Sequence, residues 1–205
     1  MGSFLVVKHG DGAVVVSYWR RMVLRPDTMN ADRRRAASMN NPYVVSPRDA
    51  ARALRAEVWN VSGMMQLPVD PFAMADRLGI AVKQERLDPN LAGFIVREGG
   101  GPVEVFLNAS DGGMRQRFTL AHELGHFVKN RNEQNIGYVD ERSELAASGA
   151  NPAEVWCNQF AAELLMPAAI IKKYWAEGWS ADELAQKFNV SGSAIDFRLK
   201  NLGLR

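Results

Sequence analysis

The segment Ala121-His122-Glu123-Leu124-Gly125-His126 constrains this chain more than any other. Two histidines four residues apart put both imidazoles on one face of a helix, about one turn apart. That is the separation at which two side chains chelate a single Zn²⁺. Glu123, directly after the first histidine, then lies beside the metal and can take a proton from metal-bound water. The flanks predict the helix that this spacing requires. Arg115 to Asn130 lacks proline, and Phe118, Ala121, Leu124, Phe127 and Val128 recur at helical spacing. Ser110 or Asp111 is expected to cap its start. Gly125 costs roughly 1 kcal/mol against alanine in a helix interior. A glycine there predicts the close approach of another backbone or of a substrate strand. The plainer reading of the motif is two core or surface histidines that share a face.

Composition sets broad bounds. The 205 residues suffice for one sizeable domain, or one domain with a small appendage. A hydrophobic share of 47% and a charged share of 23% are those of an ordinary soluble globular protein. A net charge of +2 is too small to argue for nucleic acid or a membrane surface. The single cysteine, Cys157, excludes an intrachain disulfide, which agrees with a reducing compartment. No apolar run approaches the ~18 residues of a membrane span. Phe4 to Val7 is interrupted by Lys8, His9 and Asp11 and makes a poor signal peptide. The expected location is the cytoplasm, with no membrane partner.

Three stretches are expected along the chain. Residues 1–45 read as a poorly ordered extension, with a β-prone run from Ala13 to Trp19 and a basic cluster at Arg33-Arg34-Arg35. Met39 is an alternative start, and a basic arm for nucleic acid is the functional reading of this stretch. Residues 46–178 hold the motif. Ser46-Pro47 and Asp70-Pro71 are each a cap followed by proline at the first helical position. The first helix carries Ala50, Leu54, Val58 and Val61 and is expected to end near Gly63. The second carries Phe72, Ala75 and Leu78 and stops at Gly79. Ile80 to Val82 reads as a strand. Gly93 to Arg97 and Val103 to Leu107 read as a β-hairpin just before the histidine helix. An exposed edge of that hairpin would suit an extended substrate backbone, although it equally well covers a core. Residues 130–150 read as a loop, and Asn151-Pro152 starts a further helix. Residues 179–205 read as a small unit of two short helices. Ser180 and Glu183 form a capping box, and Ser191 caps the last helix. This is a helix-turn-helix pattern. A DNA-reading version would turn Ser191, Ser193, Arg198 and Lys200 to a groove; the plainer version packs on the helices before it.

Catalytic zinc usually takes three protein ligands and leaves a position for water. His9, in the extension, is a poor third. A longer histidine motif is excluded, because Lys129 and Asn132 stand where a glycine and a third histidine would be needed. A carboxylate is the remaining option, from Asp140, Glu141, Glu144, Glu154 or Glu163. Glu154 sits in the first turn of its helix, 28 residues beyond His126, and Glu163 points about 180° away from it. Cys157 shares the face of Glu154 and is chemically acceptable, though a small buried residue is its plainer reading.

Arg117-Phe118-Thr119-Leu120-Ala121-His122-Glu123-Leu124-Gly125-His126-Phe127 is one long motif. Glu154-Val155-Trp156-Cys157-Asn158-Gln159-Phe160-Ala161-Ala162-Glu163-Leu164-Leu165-Met166-Pro167 is another. Together and in this order they resemble the ImmA/IrrE metallopeptidase family, across roughly residues 46–205. The resemblance implies an α+β, mostly helical, zincin-like (gluzincin-like) metallopeptidase domain. It would hold a small antiparallel β-sheet or hairpin before the histidine helix and a helix-turn-helix-like pair at the end. It also implies a zinc endopeptidase, with His122, His126 and Glu154 as metal ligands and Glu123 as general base. Asn158 would orient the ligand carboxylate. For the oxyanion, Tyr138, between the two motifs, and a backbone N–H are equal candidates as donor. The implied partner is a protein substrate, a helix-turn-helix repressor in the cytoplasm. Two rival classes remain: a DNA-binding regulator that uses the metal fold as scaffold, and a toxin–antitoxin or prophage partner that acts by binding. Residues 1–45 depart from the family pattern.

Overall fold

Three helix starts in this chain, at Ser46-Pro47, Asp70-Pro71 and Asn151-Pro152, are written as a short polar side chain followed by proline, and they form where they are written. The computed structural model describes residues 6–9, 12–15, 45–60, 63, 65–141 and 151–205, with backbone alone at 6–9, 12–15 and 139–141. Val61, Arg33 to Arg35, Met39 and Glu144 lie outside the described residues. Two short antiparallel strands, β1 (Val6–His9) and β2 (Gly12–Val15), pair in the N-terminal stretch.

Helix α1 (Pro47–Val58) begins where Ser46 Oγ accepts the Asp49 N–H at 3.1 Å, and it ends five residues before Gly63. Helix α2 (Pro71–Arg77) begins where Asp70 Oδ1 accepts the Phe72 N–H at 3.0 Å. Gly79 then turns the chain at φ +69°, a conformation that L side chains resist. Strand β3 (Ala81–Glu85) follows, then the hairpin of β4 (Leu91–Arg97) and β5 (Glu104–Asn108), with Phe94 opposite Phe106.

The sheet differs from the expected antiparallel one. Its order is β3-β5-β4-β6, and β3 runs parallel to β5. The link after β3 reverses the chain into β4. Strand β5, returning against β4, slots between the two and must therefore run along β3. The fourth strand, β6 (Ile136–Glu141), corrects the reading of residues 130–150 as a loop. It pairs antiparallel with β4, placing Tyr138 opposite Ile95. The hairpin consequently has no free edge; among the described residues the edges are β3 and β6.

Helix α3 (Gly113–Lys129) carries the two histidines. Neither Ser110 nor Asp111 caps it, because both belong to the turn before it. Ser110 bonds through its N–H and hydroxyl to Asn108 Oδ1, and Asp111 faces Arg115 at 3.7 Å. Gly112 takes the N-cap position with no side-chain bond. Helix α4 (Pro152–Leu165) starts at Asn151, whose Oδ1 accepts the Ala153 N–H at 3.0 Å.

Two glycines set the layers. A Cβ on Gly125 would stand 3.2 Å from Phe160 Cδ1 and 3.3 Å from the Cys157 backbone. The close neighbour predicted for this glycine is therefore α4. On the sheet side, a Cβ on Gly93 would meet Phe106 O and Thr119 Cγ2, each at 2.8 Å. Helix α3 is thus clasped between the sheet and α4, and Leu120, Ala121 and Leu124 are fully buried there. Burial of a leucine side chain contributes about 1.5–3 kcal/mol.

Helix α5 (Ala168–Ala176) leads to α6 (Ala181–Phe188) and α7 (Gly192–Asn201). The Ser180–Glu183 capping box closes in both directions, and Asn189 makes the turn at φ +51°. Leu184, Phe188, Ile195 and Leu199 are fully buried in the same hydrophobic core as α3 and α4. Among the described residues, no helix is long and apolar enough to cross a membrane.

Candidate metal centre

Because α3 and α4 cross at Gly125, the histidine face of α3 looks onto the first turns of α4. His122 Nε2 and His126 Nε2 lie 3.0 Å apart. Glu154 Oε2 lies 3.0 Å from the first and 3.3 Å from the second. Three donor atoms from two helices therefore converge on one point. A tetrahedral Zn²⁺ with bonds of ~2.0–2.1 Å needs its ligand atoms roughly 3.3–3.4 Å apart, so the trio fits that ion closely. Two nitrogens and a carboxylate oxygen are also a donor set that zinc accepts. Of the three residues, His122 and His126 are almost fully enclosed and Glu154 retains a small opening.

The other candidates separate from this point. Glu163 lies on the far face of α4, bonded to Arg198 and near Arg55. Asp140 and Glu141 sit at the end of β6, at positions where only the backbone is described, as it is for His9 on β1. Cys157 is the alternative on the spot: it, His122 and His126 each offer one donor atom within 4.8 Å of the others. Glu154 makes the tighter group, and the Cys157 backbone is packed on Gly125.

Asn158 acts on a different partner from the one expected. Its Oδ1 meets His122 Nδ1 at 2.9 Å, not the Glu154 carboxylate. With Nε2 facing the convergence point, Nδ1–H donates to this oxygen, which fixes the tautomer and the ring plane. One helical turn separates Glu154 from Asn158, so a single helix supplies both the oxygen beside His122 Nε2 and the acceptor behind it.

Glu123 is fully buried on the sheet side of α3. Its Oε1 would lie 3.4 Å from a Cβ on Gly93, so the carboxylate rests against bare β4 backbone. Tyr138 on β6 stacks on His126, and its hydroxyl donates to Asn130 Oδ1 at 3.2 Å.

One residue of structural weight, Arg55, carried no local sign in the sequence. Arg55 Nη1 donates to the carbonyls of Glu163 at 2.6 Å and Leu164 at 3.4 Å. Burial holds the Arg55 guanidinium below its ordinary pKa, an effect that Glu163 only partly offsets. Arg198 donates to Glu163 and to Met166 O. Of the four residues that a DNA-reading version would turn to a groove, Arg198 is thus engaged inward.

Comparison with known proteins adds to this geometry. A family model described as the IrrE N-terminal-like domain matches residues 75–200. The radiation response metalloprotease IrrE of Deinococcus radiodurans is 32% identical over 104 residues, which cover 46% of this chain and 30% of that protein. The metallopeptidase ImmA of Bacillus subtilis is 27% identical over 90 residues, covering 43% of this chain and 51% of its own length. The chain thus spans about half of one of these relatives and less than a third of the other, while the segment matched by the family model contains His122, His126 and Glu154.

Proposed function

Because this chain belongs to the ImmA/IrrE metallopeptidase family, we propose that it is a zinc-dependent endopeptidase that cuts a regulatory protein in the cytoplasm. The observation that carries this reading is the convergence of Glu154 Oε2 on the two Nε2 atoms. His122, His126 and Glu154 would hold the ion. When bound, zinc lowers the pKa of coordinated water and polarises the carbonyl of the scissile bond.

The chain's own residues do the rest. Glu123, one residue after His122 on α3, takes the proton of the attacking water and delivers it to the leaving amine. Its contact with Gly93 holds the carboxylate against the sheet, away from bulk water. Asn158 keeps His122 in the tautomer that leaves Nε2 free to bind metal. The substrate class, a helix-turn-helix repressor, rests on the resemblance of the two motifs.

Co-expression with a candidate repressor, such as one encoded beside this gene, tests the reading. The native chain should produce cut fragments. Glu123→Gln should bind zinc and the repressor equally well and cut nothing. Fragments that persist in the glutamine variant would discard the peptidase. The regulator reading has less to stand on, because Arg198 is engaged with Glu163. It predicts DNA binding whose salt dependence implies several phosphate contacts, which a filter-binding titration measures.

A further inference from the structure

His126 lies in the last turn of α3, where the helix itself gives the least support. The final carbonyls of a helix lack intrahelical partners, and such ends fray. Here the carbonyl of His126 is taken up by Asn130, through its backbone N–H at 3.1 Å and its Nδ2 at 2.8 Å. Asn130 is in turn held by the Tyr138 hydroxyl at 3.2 Å. The Tyr138 ring lies flat over the His126 imidazole, 4.2 Å between centroids with 19° between planes. Tyr138 therefore grips His126 twice, by its ring face and through the helix end. It does so from β6, a strand that contributes none of the three converging donors.

We propose that Tyr138 is a positioning residue for the metal centre: its ring fixes the orientation of the His126 imidazole. The inference rests on the reading of His126 as a metal ligand. It gives His126 a support from the sheet, where His122 has Asn158 from α4. It also gives β6, an edge strand, a direct line to the metal. An aromatic residue that only filled space would affect the stability of the fold and leave metal affinity alone.

The test is zinc affinity measured by competition with a chromophoric chelator, alongside thermal melts of the metal-free proteins. Tyr138→Leu should weaken zinc binding by about 10- to 100-fold, the usual consequence of removing a group that orients a ligand. Tyr138→Phe keeps the ring and should restore affinity to within about threefold of the native chain. The visible spectrum of the Co²⁺-loaded protein should change with leucine and return with phenylalanine. If leucine is not tolerated by the fold, Tyr138→Met replaces it under the same criteria. A leucine variant that binds zinc as tightly as the native chain overturns the inference. So does a phenylalanine variant as weak as leucine. A native chain that takes up no zinc overturns the metal reading itself, and the positioning role with it.

Discussion

Glu154 and Glu163 stand nine residues apart on α4, and they are 8% and 6% exposed. Nine residues are two and a half turns, so they leave the helix on opposite sides. Glu154 Oε2 meets two imidazoles, at 3.0 Å from His122 Nε2 and 3.3 Å from His126 Nε2. Glu163 meets two guanidiniums, Arg198 at close range and Arg55 at 3.9 Å, and accepts the Ala168 N–H at 3.3 Å. Burial alone therefore says nothing about a carboxylate's task. A carboxylate paired with two fixed cations is occupied as their counter-ion, whereas one facing two imidazoles stands among groups that ligate metals. Glu163 knits α1, α4 and α7 together; Glu154 lies beside the two histidines between α3 and α4.

The largest effect expected from this contrast is on the fold. Glu163→Ala leaves the buried Arg55 and the partly buried Arg198 guanidiniums without their counter-charge and should destabilise the protein by about 3–5 kcal/mol. A denaturant titration measures it, and zinc uptake by the folded fraction should stay unchanged. Gly93→Ala should come next, at about 1–3 kcal/mol, because its Cβ would press on Phe106 backbone and on Thr119. Unlike the Glu163 change, it should also impair turnover, since Glu123 shares that contact. Asn158→Ala should reverse the pattern, with about 10-fold weaker zinc binding and little change in the melting of the metal-free protein. Chelator competition and a thermal melt together check both halves.

The smallest effect belongs to a third glutamate. Glu183, exposed at the start of α6, has its pKa held below the ordinary value by hydrogen bonds from the Ser180 hydroxyl and backbone. A carboxyl lowered in the folded state contributes stability that is present above its unfolded pKa, and that contribution is lost as pH falls through the folded value. Ser180→Ala should therefore lower the melting temperature slightly at pH 7. The gap to the native chain should narrow on acidification through the carboxylate range. A gap that widens with acid would reverse the assigned sign.

Much of the site is local and was therefore legible. The spacing of His122 and His126 requires only a helix, and proline-marked caps at Ser46, Asp70 and Asn151 announced three helix starts. What escaped depends on partners distant in sequence. β6 was hidden because Ile136, Tyr138 and Val139 follow a polar run from Arg131 to Asn135. Their strand form comes from pairing with β4, and strand preference is largely such context. The parallel course of β3 is likewise a property of three strands together. Arg55 and Glu163 are 108 residues apart, and no periodicity links them. The α3 cap was misplaced because Asn108 holds Ser110 in the preceding turn. Asn158 was legible as a position in the motif, but its partner, His122 on another helix, was not.

The account's central claim is that His122, His126 and Glu154 jointly hold one divalent ion. Zinc content per chain after exhaustive dialysis, measured on the native protein, Glu154→Ala and Glu163→Ala, tests it most directly. One zinc in the native chain, a near-complete loss in Glu154→Ala and retention in folded Glu163→Ala are the predicted results. Retention in the first variant with loss in the second, or no zinc in the native protein, would contradict it.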